Sequence, residues 1–501
     1  MIKKFLSISF LIISLVSLMI VNVSCSDDDS SSSQRRGSTD EEQTVGTYLW
    51  ARHVRLYGAD SLAAALAKSS VSEVYFLVKT EAGEMTSKKG LTSEMQAAYD
   101  YDMLDKVITA MHNKGIKVYA WMICLIDAHY LSNHPEAGVV HFRRGVSDKY
   151  VDPANSDYQD YLVQEVKSIA DNYDVDGFIF DADRYLAAYF GWSDADYQRL
   201  TSEYGLTLDS YNHLVELLAS QYEYGISKNS EGRYVYDGVS PTYTESEADA
   251  LMNAAIKGDE AARAFCQMRV DLIDGICEKI YAAAGDLPTN FAFMSEACTD
   301  RYIAAAHYGQ EANEKHIFGS VSPMLYSVEY GKDASWVTKC CQTLINKGYS
   351  ITPSIQAYNS DSKSSTAQQI LDDINAVTEL GCNKYILFRL GTYDIAHIVN
   401  NSTDATASLN VINLSDVDLN NVTITVDDIS KVGSIALSGG FSGMKCTENG
   451  NTIVISTDDT MSGMCDEGIL KITSADDSKP ISITLVETGS KYTTWNDIVK
   501  K

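Results

Sequence analysis

The sequence Tyr-Asp-Val-Asp-Gly-Phe-Ile-Phe-Asp-Ala-Asp-Arg-Tyr, residues 173–185, decides the fold. It predicts the end of a helix, a turn, and a short apolar strand that is followed by two acids. Side chains alternate between the two faces of a strand, so Ile179, Asp181 and Asp183 share one face and the phenylalanines share the other. Catalytic side chains of a (β/α)8 barrel follow the C-terminal ends of its strands. The stretch therefore predicts Asp181 and Asp183 on the barrel axis; the simpler alternative is a helix N-cap and a solvated loop acid.

Short apolar runs alternate with helical patterns on both sides of this stretch. Helical spacing is clear in residues 98–114, which end at Gly115, a residue favoured just past a helix. Strands and helices alternating over about 350 residues are typical of a (β/α)8 TIM barrel, which is the α/β fold class that we predict. No glycine-rich phosphate turn follows the first strand, which argues against a dinucleotide-binding open sheet. The predicted barrel strands are Thr47–Val54, Glu73–Lys79, Lys117–Cys124, Gly177–Asp181, Asn290–Ser295, Gly319–Tyr326, Ser350–Tyr358 and Lys384–Leu390.

The predicted barrel occupies residues 45–395 and contains a long insertion at about residues 186–258. This segment is far longer than an ordinary βα connection. It is rich in tyrosine, contains Trp192, and includes a hairpin-like piece near Ser227–Asp237. Because it follows the fourth strand, we expect a wall or lid beside Asp181; the alternative is a packed subdomain that only covers the barrel.

The pattern changes after residue 395. Strand-like segments recur at short spacing and are divided by Gly, Asn and Asp turns, which predicts a small antiparallel β-sandwich over residues 396–490. We expect it to pack as a structural module, and residues 491–501 to form a C-terminal tail. The predicted strands are Ala407–Leu414, Thr423–Asp427, Ser434–Leu437, Thr452–Ser456, Ile469–Thr473 and Ile481–Glu487.

The N-terminus has the pattern of a targeting segment. Lys3 and Lys4 precede an apolar run that meets Ser24-Cys25, which resembles the cleavage and lipidation site of a bacterial lipoprotein. We therefore predict a signal peptide over residues 1–24, lipidation at Cys25, and a flexible Ser/Asp tether over residues 25–44. The acidic residues after Cys25 resemble a surface-export signal of Bacteroidetes-type bacteria. We expect the protein on the bacterial outer membrane, at the cell surface; an ordinary signal peptide or an anchor helix is the alternative.

The net charge of −28 argues against nucleic acid as a partner, because phosphate recognition needs clusters of Lys and Arg. It gives no support for an anionic polymer as substrate, although a local basic cleft stays possible. The cysteines show no ligand spacing for zinc, so we expect neither a metal nor a cofactor, apart from a structural calcium that the acids would allow. Most are expected to be buried thiols, and Cys446 and Cys465 are candidates for one disulfide.

Glu296 is the best partner for Asp181. It follows the fifth predicted strand, on the face that alternation assigns to the barrel axis. Carboxylates at the ends of neighbouring strands would be separated by about 5–5.5 Å, as in a retaining glycosidase. The expected roles are nucleophile for Asp181 and acid/base for Glu296. Asp183 is expected to bind a sugar hydroxyl, or to be the nucleophile if the strand ends later.

Other polar and aromatic residues end the predicted strands and are candidates for substrate binding. Each of them alone has a structural role as its alternative, and a tryptophan on a strand often belongs to the core. Arg389 is also a candidate partner for one of the acids. The candidates are Trp50, Arg52, Lys79, Trp121, Arg184, Tyr326, Gln356, Tyr358 and Arg389.

The segments Val118-Tyr-Ala-Trp-Met, Asn133-His-Pro-Glu, Val151-Asp-Pro-Ala-Asn and Tyr173–Asp181 together resemble glycosylhydrolase-like TIM-barrel proteins, the family-10-like glycosidases. The resemblance spans about residues 46–395. It implies a (β/α)8 barrel that acts on carbohydrate, with Asp181 in the active site. In that family two acids follow the strand consecutively, whereas Ala182 separates them here. The order of Asp and Glu is also similar to the α-amylase clan, whose further Asp on strand seven is replaced here by Gln356 and Tyr358.

Two functional hypotheses follow. The first is a surface-anchored glycoside hydrolase, retaining, that acts on an extracellular polysaccharide or glycan. The second is a non-catalytic carbohydrate-binding lipoprotein on an inactive barrel. A barrel lyase or esterase would need a nucleophile–base pair, and no Gly-x-Ser-x-Gly elbow follows a strand.

Overall fold

The computed structural model describes ten segments of the chain. They are residues 43–68, 71–238, 249–312, 319–357, 367–388, 395–401, 405–413, 419–461, 466–475 and 483–488.

Eight parallel strands close into a barrel. Each strand pairs with the next one along the chain, and the last pairs with the first, which confirms the predicted fold class. Pro353, which has no N–H to donate, separates the two pieces of the seventh strand. The strands are β1 Thr44–Leu49, β2 Val71–Lys79, β3 Lys117–Ile123, β4 Gly177–Asp181, β5 Thr289–Met294, β6 Ser320–Leu325, β7 Ser350–Ile351 with Ser354–Gln356, and β8 Lys384–Phe388.

Alternation along β4 places its side chains as predicted. Phe178 and Phe180 are fully buried in the core beneath the helices, and Ile179 joins the aromatic cluster inside the barrel. Gly177 begins the strand where no side chain fits, because an added Cβ would lie 2.3 Å from the Pro288 carbonyl oxygen. The Asp-Gly pair of the sequence therefore marks a close approach between β4 and the turn that leads into β5.

Helices cover the barrel and occupy its loops. Most of them begin with a polar cap; Asn155, for example, accepts a hydrogen bond from the backbone N–H of Tyr158. The helices span Ala51–Tyr57, Ala59–Leu66, Met103–His112, Ala128–Asn133, Ser156–Ala170, Glu260–Ala283, Glu296–Thr299, Arg301–Tyr308, Ala334–Asn346 and Ala367–Thr378, with a 3-10 turn at Pro135–Ala137. Short strands at Glu84–Met85 and Gln96–Ala97 extend β2, and Gly138–His141 pairs with Gly145–Val151 after β3.

The long segment after β4 has a core of its own. Trp192, Leu214 and Leu251 belong to this core, which also includes the first part of the helix Glu260–Ala283. The second part of the same helix, from Ile273 onward, packs in the barrel core. The segment therefore contains a packed subdomain that shares one helix with the barrel. Its elements are the helices Asp194–Ser202, Leu208–Tyr222 and Ala250–Lys257 and the hairpin strands Ile226–Lys228 and Tyr234–Tyr236.

The C-terminal part contains two four-stranded antiparallel sheets. Ile424 and Ile453 from one sheet and Leu470 and Ile472 from the other are fully buried in one apolar cluster, as in a small β-sandwich. One sheet has the order Ile395–Asn401, Thr406–Asn413, Asp466–Ser474, Val432–Gly439; the other has Lys445–Asn449, Thr452–Met461, Leu419–Val426, Ile483–Thr488. A 3-10 turn lies at Ile429–Lys431.

Candidate active site

Asp181 is the last residue of β4 and is held by three hydrogen bonds. Its Oδ1 accepts from the Ala182 backbone N–H at 2.6 Å and from Arg184 Nη1 at 2.8 Å. Its Oδ2 accepts from the Trp121 indole at 3.2 Å, across the inside of the barrel. The side chain is 16 % exposed, so one edge still faces solvent. Asp181 is thus a fixed carboxylate, paired with a cation, at the end of the barrel where the prediction placed it.

Asp183 does not face the barrel axis, and that expectation is wrong. Ala182 has a left-handed backbone, with φ of 53°, which interrupts the alternation of the strand. Ala182 joins the cluster inside the barrel, and Asp183 is fully buried with its Oδ2 accepting from the Cys277 thiol at 3.2 Å. Cys277 belongs to the helix Glu260–Ala283, so Asp183 lies in the layer between strand and helix, and the sugar contact predicted for it has no geometric support.

Glu296 lies just past β5, as the first residue of the short helix Glu296–Thr299. Its Oε2 accepts from the Tyr330 hydroxyl at 3.1 Å and from the Ser295 hydroxyl at 3.2 Å. Burial raises the pKa of Glu296 above its usual value, and these hydrogen bonds and the charge of Arg184 oppose that rise. The charge of Arg184 therefore acts on both acids, and Glu296 is the one whose pKa is raised by burial.

The two acids lie at different heights on the barrel. Phe180 pairs with Phe291 in the register of β4 and β5. The next residues along the two strands, Asp181 and Ala292, therefore lie at the same level. Glu296 comes four residues later and follows a turn into its helix. The predicted separation of about 5–5.5 Å between the two carboxylates requires both acids to lie at one level, which the register does not support.

Two tyrosines that the sequence analysis missed complete the surroundings of Glu296. Tyr330 follows β6 by five residues, and its hydroxyl donates to Glu296. Tyr308 ends the helix Arg301–Tyr308, and its pKa is raised by burial and then by the charge of Glu296. Neither residue lies in a strand, so alternation could not assign it a direction. The abundance of tyrosine in the sequence was the only signal that pointed to such contacts.

Replacing Tyr330 by Phe is expected to raise the pKa of Glu296 further, because the hydroxyl stabilises the charged carboxylate. If Glu296 is a proton donor, the alkaline limb of the pH–rate profile should move to higher pH, while kcat at the optimum should change by less than about tenfold. The exposed Tyr281→Phe is the matched control and should leave the profile in place. A limb that does not move in Tyr330→Phe would mean that another group sets it.

Aromatic side chains fill the barrel beneath the two acids. Trp121 is only 2 % exposed and contacts Tyr48 edge to face at 4.8 Å and Trp50 at 4.9 Å. Tyr326 stacks on Phe388 at 5.3 Å. Trp121 is therefore a core residue that orients Asp181, whereas Trp50 and Tyr326 are partly exposed and stay candidates for sugar contact.

Lys79 does not line the site, contrary to its predicted role. A register shift between Leu77 and Lys79 at the end of β2 turns the lysine toward the helix layer. There it is fully buried, 2.8 Å from Asp127 and 2.5 Å from Glu165. Burial alone would lower the pKa of Lys79, but the two carboxylates outweigh it and hold the pKa well above its usual value. Lys79 is thus the centre of a buried charge cluster.

Replacing Lys79 by Met is expected to lower the free energy of unfolding by about 3–5 kcal/mol, because Asp127 and Glu165 would stay buried without their cation. Urea unfolding measures the change. The control is the exposed Lys167→Met on the same helix as Glu165, expected within about 0.5 kcal/mol of the wild type. The double variant Lys79→Met/Glu165→Leu should recover part of the loss; a single variant as stable as the wild type would contradict the cluster's role.

Of the other residues predicted to bind substrate, some lie near the two acids and others do not. Arg52 is exposed on the helix Ala51–Tyr57, because β1 ends at Leu49 instead of continuing to residue 54. Gln356 is buried at the end of β7, and its Oε1 accepts from the Glu329 backbone N–H at 3.0 Å, which supports the loop that carries Tyr330. Arg184, paired with Asp181, is the one that reaches the acids directly.

Several predictions fall outside the described residues. They concern substrate contacts by Tyr358 and Arg389, lipidation at Cys25, and the disulfide, whose partner Cys465 is not described although Cys446 is. Within the described segments, no helix has the length and apolar character needed to cross a membrane. The same segments contain no group of three or more His, Cys, Asp or Glu side chains arranged to hold a metal ion.

One segment of the chain is similar to a known family, and the fold is similar to that of solved structures. The sequence profile of the family described as Glycosyl hydrolase-like 10 matches residues 54–210, a segment that contains β2, β3, β4 and Asp181. The fold is similar to that of the catalytic domain of β-amylase from Paenibacillus polymyxa, with a TM-score of 0.50 and 11% identity over 69% of this chain and 92% of that one.

The PgaB (BpsB) glycoside hydrolase domain from Bordetella bronchiseptica has a TM-score of 0.49 and 13% identity, over 69% of this chain and 93% of that domain. At such identities the likeness concerns the fold alone. No curated protein sequence matches the chain. The described chain is therefore a (β/α)8 barrel with one segment similar to a glycosyl hydrolase-like family.

Proposed function

We propose that this protein is a retaining glycoside hydrolase that acts on an extracellular polysaccharide or glycan. The observation that supports it most is the contrast between two acids at the ends of neighbouring strands. Asp181 is bonded to Arg184 as a carboxylate, and burial raises the pKa of Glu296. Glycosidic hydrolysis by this mechanism requires one carboxyl group that donates a proton and a second that acts as a nucleophile. The match to a glycosyl hydrolase-like profile over residues 54–210 agrees with this choice.

The mechanism assigns one role to each acid. Asp181 attacks the anomeric carbon while Glu296 gives its proton to the departing glycosidic oxygen, so one C–O bond forms as another breaks. Glu296, now a carboxylate, then takes a proton from water, whose oxygen attacks the same carbon and releases Asp181. Trp121 and Arg184 fix the nucleophile, and Tyr330 fixes the acid.

Stereochemistry tests the assignment of Asp181. Proton NMR of the first product formed identifies its anomer, and retention is expected if Asp181 forms the covalent intermediate. Glu296 lies past the level of Asp181 along the barrel, and a wider separation of the two acids is typical of inverting enzymes. Inversion of the anomeric configuration is therefore the result that would contradict the assignment. Inversion would make Asp181 a general base that acts through a water molecule, with the carboxyl groups about 6.5–9.5 Å apart.

The experiment that tests the function is hydrolysis of a broad panel of plant, microbial and host glycans together with aryl glycosides. Cleavage by the wild type, lost in a folded Asp181→Asn variant, would support the hydrolase. Binding of a glycan without cleavage would instead favour the second candidate, a carbohydrate-binding protein on an inactive barrel. The aromatic residues Trp50 and Tyr326 at the barrel end would serve that function equally well.

We further propose that the protein is anchored to the bacterial outer membrane through a lipid on Cys25, with the barrel at the cell surface. The proposal rests on Lys3, Lys4, the apolar run and the Ser24-Cys25 junction. Incorporation of labelled palmitate into the wild type but not into Cys25→Ser, with loss of the barrel after protease treatment of intact cells, is the expected result. Equal labelling of both proteins would contradict the lipidation.

A further inference from the structure

A row of aromatic residues runs from the barrel loops onto the subdomain after β4. The row, called the tyrosine strip here, consists of Tyr189, Tyr222, Tyr224, Tyr236 and Phe142. Tyr189 contacts Tyr222 at 5.0 Å between ring centroids, and Tyr222 stacks on Tyr224 at 5.7 Å. Phe142 stacks on Tyr224 at 5.9 Å and meets Tyr236 edge to face at 6.5 Å. All except Tyr224 are partly exposed, so the strip presents aromatic surface to solvent.

One end of the tyrosine strip reaches the surroundings of Glu296. Burial and then the charge of Glu296 raise the pKa of Tyr308, and the charge of Tyr189 acts in the same direction. The backbone supports this proximity, because the Tyr185 N–H donates to the Tyr308 carbonyl oxygen at 2.9 Å. Tyr189 is therefore a member of the strip that lies near Tyr308.

The strip is flanked by Arg143 and Arg144. Both are exposed in the tight turn between the strands Gly138–His141 and Gly145–Val151. The Arg143 guanidinium lies 5.9 Å from the ring of Tyr236, and the charge of Arg144 acts on Tyr189 and Tyr224. Two cations therefore lie beside the aromatic surface.

His141 fixes this turn in one shape. Its Nδ1 accepts hydrogen bonds from the backbone N–H groups of Arg143 at 3.0 Å and Arg144 at 3.3 Å. Burial, and then the charge of Arg144, lowers the pKa of His141 to about 4. The ring is therefore neutral at physiological pH and can accept both bonds, which fixes the backbone of the two arginines before any ligand arrives.

Among the described residues, neither Arg143 nor Arg144 forms an ion pair with a carboxylate. A net charge of −28 would repel an anionic polymer, so a negatively charged ligand needs a local cationic site of this kind.

We propose that the tyrosine strip, with Arg143 and Arg144, is a distal subsite that binds acidic oligosaccharides. Sugar rings stack on the tyrosines, and a carboxylate or sulfate group pairs with the arginines, whose planar forks suit both anions. The proposal rests on the proposed glycosidase function, because it names the substrate class of the same site. It makes Arg143 and Arg144 specificity-determining residues for a negatively charged glycan.

The test uses oligosaccharide pairs that differ in charge and little else. One arm compares hexagalacturonate with its methyl ester, and the other compares a sulfated galactan hexasaccharide with its desulfated form. Calorimetry measures binding to Glu296→Gln, which should bind without turnover, alone and combined with Arg143→Glu/Arg144→Glu or Arg143→Gln/Arg144→Gln. The matched control is Lys114→Glu/Lys117→Glu, a double charge reversal at the opposite end of the barrel.

At least one charged member should bind about tenfold or more tightly than its neutral counterpart. Either arginine double variant should lose that preference and the control should keep it. The preference should also weaken between 50 and 500 mM salt, because screening acts on exposed charges. The arm that shows the preference identifies the anion as carboxylate or sulfate. Equal binding of charged and neutral members, or a preference that survives in both arginine variants, would overturn the subsite.

Failure of this inference can be distinguished from failure of the proposed function. If the wild type cleaves a glycan but binds the charged and neutral members of each pair equally, the hydrolase stands and the subsite is overturned. If acidic oligosaccharides bind through the arginines and none is cleaved, the subsite stands as a binding site and the hydrolase fails. Neither binding nor cleavage would overturn both.

Discussion

Replacing Asp181 by Asn is expected to lower kcat by a factor of about 10⁴ or more, because it removes the atom that would form the covalent bond to the sugar. The amide keeps the size of the side chain and a hydrogen-bond acceptor for Arg184, so the fold should persist. Single-substrate kinetics on the best substrate from the panel measure the loss, and circular dichroism verifies folding. A folded variant that keeps more than a tenth of the wild-type rate would remove Asp181 from the mechanism.

Two comparisons sharpen this result. Asp181→Gly with added azide should regain activity and release a glycosyl azide of inverted configuration, since azide enters where the carboxylate was. Asp183→Asn is the matched change two residues away; burial against Cys277 predicts that it lowers stability instead of blocking chemistry. If Asp183→Asn were folded and inactive while Asp181→Asn stayed active, the nucleophile would be Asp183.

Replacing Glu296 by Gln is expected to have the second-largest effect, and its size should depend on the leaving group. For natural glycosides, which need a proton, kcat should fall by about 10²–10⁴. For a dinitrophenyl glycoside, whose leaving group needs none, the first step should change by less than about tenfold. The contrast between the two substrates in stopped-flow kinetics identifies proton donation.

The pH profile gives an independent check on Glu296. Burial raises its pKa, so the acid form persists above the usual range of a glutamate and is lost as the pH rises through that value. The wild type should therefore lose activity on the alkaline side, and Glu296→Gln should lack that limb. The matched control is Glu311→Gln, a glutamate whose pKa is also raised by burial but which pairs with Arg301. A limb that survives in Glu296→Gln would assign proton donation to another group.

The barrel could be predicted because its signal is periodic. Phe178 and Phe180 alternate with Ile179, and this period of two both marks β4 and orients its side chains. The same alternation placed Asp181 correctly, since it lies within the regular strand. Periodicity therefore predicts only those site residues that lie within a regular strand.

The wrong predictions concern residues at which the backbone departs from the regular alternation of a strand. The bulge at the end of β2 moved Lys79 from the barrel interior to the helix layer, and the left-handed Ala182 did the same to Asp183. Both changes depend on long-range packing against Glu165 and Cys277, which local sequence does not encode. Tyr330 was missed for a related reason, because a loop residue acquires its direction only from the folded contacts around it.

The helix Glu260–Ala283 runs through two cores: its first turns pack in the subdomain after β4, and its later turns pack in the barrel. Arg269 lies at the changeover, where its guanidinium donates to the carbonyl oxygens of Phe190, Ala187 and His307. Unfolding of either core would expose part of this shared helix, so we expect the two cores to unfold in a single cooperative transition. The subdomain is then a poor module for exchange between relatives, because a graft would have to carry over a helix on which the barrel itself depends.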